Sequence, residues 1–443
     1  MYKFQDAGLF KRELHPRLMT AGLLAMCCLH NTAHALDCKL DAPPQLLNQS
    51  LILARVAACN RDVVNAQRLV TASQADLRVA GQAPNPSLTV GVGSVNPNLG
   101  VGAGPYWDKT VDNSIRYEQL IERGGKRELR SQSAEQLLKA AQQDALDVER
   151  QQDVIALQAM VDLDTADKRV KLLTEVSALY EETLRANTRR TVAGDLAPVD
   201  AERQALDLTR AQIDLRQAQL DAVHARTALA GLLAWESQAS ALQVDPKILD
   251  SAPLPADQFD PVERADIKAS RLRTQAALSL RDLAKAQSSA DVTAGLQLDH
   301  WPTSSANHNG TGDTFSVSLS IPLMLRHHFE GELARATSDS QAAEETLQRI
   351  EASAQADWTR INAEVSNAEA RLNILQTVQM PRAVKIAQSI EIGYSKGAIS
   401  VLDLLDARRL LLQTRLDLLA ARADRARAVI ARNRWITSAS ASF

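Results

Sequence analysis

The sequence predicts a mainly α-helical chain into which two short β-hairpins are set, with the whole arrangement occurring twice. Three observations carry that fold class. The first is composition: of 443 residues 45% are hydrophobic but only 4% aromatic. A chain rich in Ala, Leu, Gln, Arg, Asp and Glu yet poor in rings has the make-up of long packed helices rather than of a compact domain core. The second is punctuation, because Gly and Pro terminate helices. The stretch from Lys126 to Ala193 contains neither, and as one helix it would be about 100 Å long at about 1.5 Å per residue. The third is repetition. Leu88 and Val292, Gly91 and Gly295, Ser114 and Ser318, and Glu128-Leu129 and Glu332-Leu333 all lie 204 positions apart, while Gly194 with Gly397 and Asp200 with Asp403 lie 203 apart. A fixed offset of this kind marks an internal duplication.

Residues 1–35 read as an export signal: Lys11, Arg12 and Arg17 precede the apolar run Leu18–Leu29, and Ala33-His34-Ala35 is a small-x-small cleavage site. The mature chain is expected to begin at Leu36. The apolar run is too short to span a bilayer as a helix, and no later stretch has eighteen apolar residues in succession, which argues against a helical membrane protein. Cys27 and Cys28 fall in the signal. Cys38 and Cys59 remain, in a compartment where disulfides persist, so they are either bridged or two free thiols. A lipid anchor is the weaker reading, since Asp37 precedes Cys38 and Met26 precedes Cys27 where a small residue is wanted.

Residues 36–86 form an N-terminal segment and helix. In 87–121, Leu88, Val90 and Val92 alternate with Thr89, Gly91 and Gly93, and Ile115 and Tyr117 alternate with Ser114, Arg116 and Glu118, the period-two pattern of a hairpin. Residues 122–234 form the first long-helix pair, 235–261 a linker and 262–290 a further helix. Residues 291–322 repeat the hairpin, with Val292, Ala294, Leu296 and Leu298 and then Phe315, Val317, Leu319 and Ile321 as the apolar rows. Residues 323–435 repeat the long pair and 436–443 are a tail. In the long segments Ala159, Leu163, Ala166, Val170, Leu173, Ser177, Tyr180 and Leu184, and later Leu412, Leu416, Leu419, Ala423, Ala426 and Ile430, step by fours and threes as coiled-coil seams do. Strands with one apolar face and one of Ser, Thr, Gly and charge suit lipid on one side and water on the other; a half-buried soluble sheet is the alternative. Four strands are too few to close a membrane barrel, so the chain must oligomerise.

Several segments, in order and in a duplicated frame, now bear comparison with a known family. Ala83-Pro84-Asn85-Pro86-Ser87-Leu88, Glu122-Arg123-Gly124-Gly125-Lys126-Arg127, the turn Ala193–Asp200 and the turn Tyr394–Ala407 resemble the outer-membrane efflux proteins, the TolC-like channels. The turns and Pro84-Asn85-Pro86 lean toward the cobalt-zinc-cadmium, heavy-metal branch. The resemblance implies a homotrimer with a 12-strand outer-membrane barrel, four strands per chain, continuing into a periplasmic α-helical tunnel. It also implies a tunnel tip that docks a periplasmic adaptor and an inner-membrane pump, the pump being of RND type, with outer-membrane lipid around the barrel.

Little in the sequence carries chemistry of its own. With 50 basic and 53 acidic residues the net charge is −3, so no basic field invites nucleic acid. There is no nucleophile elbow, HExxH or paired CxxC, no catalytic residue is assigned, and no cofactor is expected. Gly124-Gly125-Lys126 lacks the Ser or Thr and the first Gly of a phosphate loop and reads as a strand-to-helix turn. His300 and His308 fall on one expected loop, His327-His328 open a long helix and His224 stands alone; solvation or capping outweighs a metal site for all of them. Tyr106, Trp107 and Trp301 border the loops, as interfacial anchors or as loop packing. Asp403 and Asp406 share a face near a helix N-terminus, where capping is the plain reading. The resemblance makes them the carboxylates that ring the channel entrance, and it makes Gly194, Asp195, Asp200, Tyr394 and Gly397 the adaptor-docking turns. Ile399 departs from relatives that carry an Arg there to hold the gate closed. A periplasmic adaptor or structural coiled-coil protein is the competing function, though it would need no duplicated hairpin.

Overall fold

The structure is a computed structural model and describes residues 43, 45–95, 98, 109, 111–250, 263–301 and 312–437, all within one unit, Ala42–Phe443. The signal region, Cys38 and most of both hairpin loops, with Tyr106, Trp107 and His308, lie outside the described residues.

The chain begins with α1 (Gln49–Cys59) and α2 (Arg61–Ala80). Asn60 separates them: its backbone leaves the helical region, and its side chain accepts from the amides of Asp62 and Val63 to cap α2. Cys59, the last residue of α1, is buried and disulfide-bonded. Strands β1 (Ser87–Gly93) and β2 (Asp112–Ile121) follow, then α3 (Lys126–Val192, 67 residues) and α4 (Pro198–Leu232). The second copy runs α5 (Ala265–Ala286), β3 (Val292–Trp301), β4 (Gly312–Ser320), α6 (Glu330–Ile374), α7 (Met380–Ser395) and α8 (Val401–Thr437). The helix does not stop at Pro381. A π-turn at Leu375–Gln379 leads directly into α7, which carries Pro381 in its first turn.

The four strands form one antiparallel sheet in the order β1-β2-β3-β4. Register aligns apolar rows: Val90 opposes Ile115, which opposes Leu298, which opposes Phe315, and Leu88, Tyr117, Leu296 and Val317 form the next row. All eight are more than two-fifths exposed. The other face carries Thr89, Arg116, Gln297 and Ser316, with Arg116 Nε 2.6 Å from Gln297 Oε1. The duplication extends to side-chain detail. A Cβ on Gly91 would strike Ser114 Oγ at 2.7 Å, and one on Gly295 would strike Ser318 Oγ, 204 positions on. His300 belongs to β3 rather than to a loop, opposing Asn113 and Asp313; the alternation simply continues two residues further than its apolar members show. Trp301 shares the parity of Asp299 and Gln297, and its Nε1 donates across the ladder to Thr314 Oγ1 at 3.1 Å.

Charged residues tie sheet to helices. Lys126 Nζ donates to Asp291 Oδ1 and Ser289 O, both at 2.8 Å, and the Arg123 amide donates to the same carboxylate oxygen at 2.9 Å. Arg130 forks onto Glu122 at 2.8 and 3.2 Å and reaches the Ala80 carbonyl at 3.0 Å. Gly124 and Gly125 sit at φ +72° and +71°, so Gly124-Gly125-Lys126 is a strand-to-helix turn. The main core packs α1, α3, α4 and α8 with the segment after α4, around Leu47, Ile52, Leu157, Leu163, Leu229 and Ile430. Leu47 pairs in parallel with Val244, and Arg55 donates to Leu233 O at 3.0 Å while stacking on Trp235. Both heptad seams enter this packing through Ala159 and Leu163 and through Ala423, Ala426 and Ile430, while Tyr180, further along the first seam, is buried in a second cluster with Val176 and Ala211.

Candidate functional site at the two inter-helix turns

The turns that join α3 to α4 and α7 to α8 are built identically. Gly194 and Gly397 adopt φ +84° and +74°, the left-handed conformation that favours glycine. The Asp195 amide donates to Arg190 O at 2.8 Å and the Ala398 amide to Gly393 O at 2.9 Å, while Gly194 and Gly397 donate to Thr191 O and Tyr394 O at 3.1 and 2.9 Å. This is the paired bonding of a Schellman termination, and every partner in one turn lies 203 residues from its counterpart in the other. Nothing comes within 4 Å of a Cβ placed on either glycine.

Each turn delivers an aspartate to the third position of the next helix. Asp200 lies 3.6 Å from Arg203. Asp403 accepts from Ser400 Oγ at 2.6 Å, and its own amide donates back to that hydroxyl at 3.2 Å, so Ser400 and Asp403 form a capping pair. Asp406, one turn on, accepts from Arg409 Nη1 at 3.0 Å. Asp195, Asp403 and Asp406 are exposed, and Asp403 and Asp406 share one face of α8.

A set of bonds behind the turns holds the second helix pair against the first. Tyr394 Oη donates to Asn187 Oδ1 at 2.9 Å and accepts from Arg190 Nη1 at 3.0 Å. Tyr394 therefore points back into the helices rather than outward. Arg408 bridges Thr183 Oγ1 at 2.8 Å and Glu391 Oε1 at 3.0 Å. Arg409 spans Asp406 and Asp207, reaching the latter at 2.5 Å, and the Asp207 carboxylate holds its guanidinium above the ordinary range. Burial pushes the Tyr180 phenol up, with Asp207 adding to the effect. Ile399, where relatives were expected to differ, packs across Gly393: a Cβ there would meet Ile399 Cγ1 at 2.7 Å.

Sequence reasoning missed Asn187, Asp207, Arg408 and Arg409. A signal existed. Asn187 continues the first seam three residues after Leu184, and Gln204 and Asp207 occupy buried positions of α4 in step with Ala211, Ala218 and Ala222; polar residues in an apolar seam specify partners. Among the described residues no group of three or more His, Cys, Asp or Glu is placed to hold a metal ion, and no helix is long and apolar enough to cross a membrane.

Comparison with known proteins agrees with this architecture. The family model for outer membrane efflux protein matches residues 262–431, the span of the second repeat. The cobalt-zinc-cadmium resistance protein CzcC of Cupriavidus metallidurans is 24% identical over 377 residues, covering 85% of this chain and 86% of that protein. The outer membrane protein VceC of Vibrio cholerae superposes with a TM-score of 0.72 at 16% identity over 88% of this chain and 95% of its own. CusC, solved in studies of folding and transmembrane channel formation, gives a TM-score of 0.71 at 18% identity over 88% of this chain and 91% of its own. The four-stranded sheet and the paired turns agree with these matches, in which the second repeat fits the outer membrane efflux protein model, and together they support an outer-membrane channel of a tripartite efflux system.

Proposed function

We propose that the channel passively conducts divalent metal cations delivered by an adaptor and an RND-type pump, and that Asp403 and Asp406 form the selective ring at its periplasmic entrance. The observation that carries this reading is the exposed pair of carboxylates on one face of the first turns of α8, beside the Gly397 turn. Three copies would converge six carboxylates on one opening, which favours cations. The metal class is supported by the name of the curated relative, a cobalt-zinc-cadmium resistance protein that aligns along most of both chains.

The trimer explains surface that one chain leaves bare. On α4, Val199, Leu206, Ile213 and Leu220 recur every seven residues and are 57%, 60%, 61% and 49% exposed, a seam wanting a second helix. The outer edges of β1 and β4 also lack partners in one chain, and joining three sheets edge to edge gives a 12-strand barrel whose apolar face meets outer-membrane lipid. Gly194, Asp195, Asp200 and Gly397 present the exposed turns to the adaptor, and Tyr394 braces them from behind. Nothing in the site hydrolyses nucleotide, so the energy comes from the pump.

A deletion strain tests the cargo. Growth inhibition by cobalt, zinc and cadmium at lower concentration than in the parent, with unchanged sensitivity to dyes and detergents, is the expected result. The reverse pattern would contradict a metal cargo while leaving the channel intact.

A further inference from the structure

The two repeats differ where each second strand enters its long helix. In the first repeat β2 ends at Ile121 and α3 starts at Lys126, a short connection in which Glu122 pairs with Arg130 and the Arg123 backbone amide donates to Asp291. In the second, β4 ends at Ser320 and α6 starts at Glu330, leaving residues 321–329 as a longer connection. Ile321 is 45% exposed, and Leu323 and Leu325 are 77% exposed each. Arg326, His327 and His328 follow immediately and are exposed. They precede α6 rather than opening it. His327 is fixed by Glu332 at 3.0 Å and by stacking on Phe329 at 4.4 Å. Neither Arg326 nor His328 has an ion-pair partner among the described residues.

We infer that this connection is a phospholipid-binding collar, in which Leu323 and Leu325 sit among acyl chains of the periplasmic leaflet and Arg326 and His328 bind the lipid phosphate. The inference rests on the reading that the apolar face of the sheet meets lipid. Register supplies the depth. At the other end of the sheet the apolar rows stop at Asn113, His300 and Asp313, which oppose one another on the same face as Ile115, Leu298 and Phe315. From Phe315 to Leu323 is eight residues, which as extended chain at about 3.3 Å each and a tilt of about 40° cover about 20 Å of membrane depth, and there the Leu325 amide turns back onto Leu323 O at 2.9 Å. The apolar band of an outer-membrane barrel is about 25 Å high. Ending the band at Leu319 would give it only about 10 Å. The band therefore approaches its full height only if residues 321–325 belong to it, and Arg326 then falls at headgroup level. Apolar anchors followed directly by an unpaired arginine and a histidine match a lipid, whose tail and phosphate present the same order, better than a second copy of this chain.

Depth-dependent quenching tests this on the full trimer in vesicles of phosphatidylethanolamine and phosphatidylglycerol. A bimane on Leu323→Cys should be quenched more by nitroxides on the headgroup than by nitroxides deep in the acyl chain, and a bimane on Leu319→Cys, at mid-depth and 67% exposed, should show the opposite order. Quenching at position 319 with none at 323 by either lipid would overturn the collar and leave the lipid-facing sheet standing, with a second copy or another protein covering the connection. No quenching at either position would overturn the parent reading as well. Native mass spectrometry then tests the phosphate contact: Arg326→Glu should lower retained phosphatidylglycerol by about fivefold per site relative to the parent protein. Unchanged retention would reject the headgroup contact.

Discussion

Placing Arg at Val317 tests which side of the sheet meets lipid. Val317 lies in the apolar row with Leu296, is 71% exposed in the single chain, and falls about 5 Å inside the outer end of the band that runs down β4. Arg facing lipid costs about 2 to 4 kcal/mol at the midplane and about 0 to 1 kcal/mol at the interface, so about 1 to 2 kcal/mol per copy at this depth and about 3 to 6 kcal/mol for a trimer carrying three, comparable with the whole stability of a small domain. Ser316, one residue earlier, opposes Gln297 on the polar face, where Arg116 already stands. Ser316→Arg should therefore cost under about 1 kcal/mol, as substitutions on a solvated surface do. The assay is the fraction of protein that runs as a heat-modifiable trimer after assembly in vesicles, measured across a urea series for both variants. Val317→Arg should shift assembly to much lower urea or abolish it while Ser316→Arg assembles like the parent. Equal loss in both, or loss only in Ser316→Arg, would refute the assignment of the faces.

Three further outcomes follow from the helices. Asp153 on α3 is 7% exposed, and burial pushes its carboxyl up to about 6 in spite of Arg434 at 3.3 Å. Its contribution to stability is thus fully present below the ordinary value of 3.8 and is lost as pH rises through about 6; the gap is worth about 3 kcal/mol. Denaturation of Asp153→Asn should therefore gain on the parent by up to about 3 kcal/mol between pH 4 and pH 7, and a pH-independent difference would contradict the burial argument. Tyr394→Phe removes the hydroxyl shared by Asn187 and Arg190 and should weaken the closed state by about 1 kcal/mol, seen in planar bilayers as roughly fivefold higher open probability; unchanged gating would show that the hydroxyl does not brace the entrance. Gly397→Glu meets no steric obstacle and strains only the backbone, by about 1 to 2 kcal/mol, so trimer yield should hold while cross-linking to the adaptor falls. Adaptor cross-links found only at the hairpin loop 96–113 would invert the orientation.

The helices and strands were legible because their periods are unambiguous: a 67-residue helix writes its seam many times over, and strands of seven to ten residues with one apolar face alternate cleanly. The offset of 204 told where each element recurs, and it holds down to the Gly91–Ser114 and Gly295–Ser318 contacts. The turns were legible from Gly194 and Gly397, since left-handed backbone has few other tenants. Less was written locally about the bonds behind them. Asn187, Asp207, Arg408 and Arg409 meet only after α3, α4 and α8 pack, and in a charged helical sequence an Arg that bridges two helices looks like one that points to water. Pro381 does not end its helix, because a breaker does so only when the preceding turn cannot adjust, and a π-turn adjusts it here. His300 was read as loop because its polarity hides a strand that continues.

Asp403 and Asp406 are proposed to ring the periplasmic entrance of a cation-selective channel. Reversal potential across a salt gradient, measured on purified trimers in planar bilayers, addresses it directly. The parent channel should prefer cations, and the double variant Asp403→Asn with Asp406→Asn should lose much of that preference at unchanged trimer yield, since Asn caps a helix about as well as Asp. An unchanged permeability ratio in the double variant would contradict the ring and leave both aspartates as helix caps.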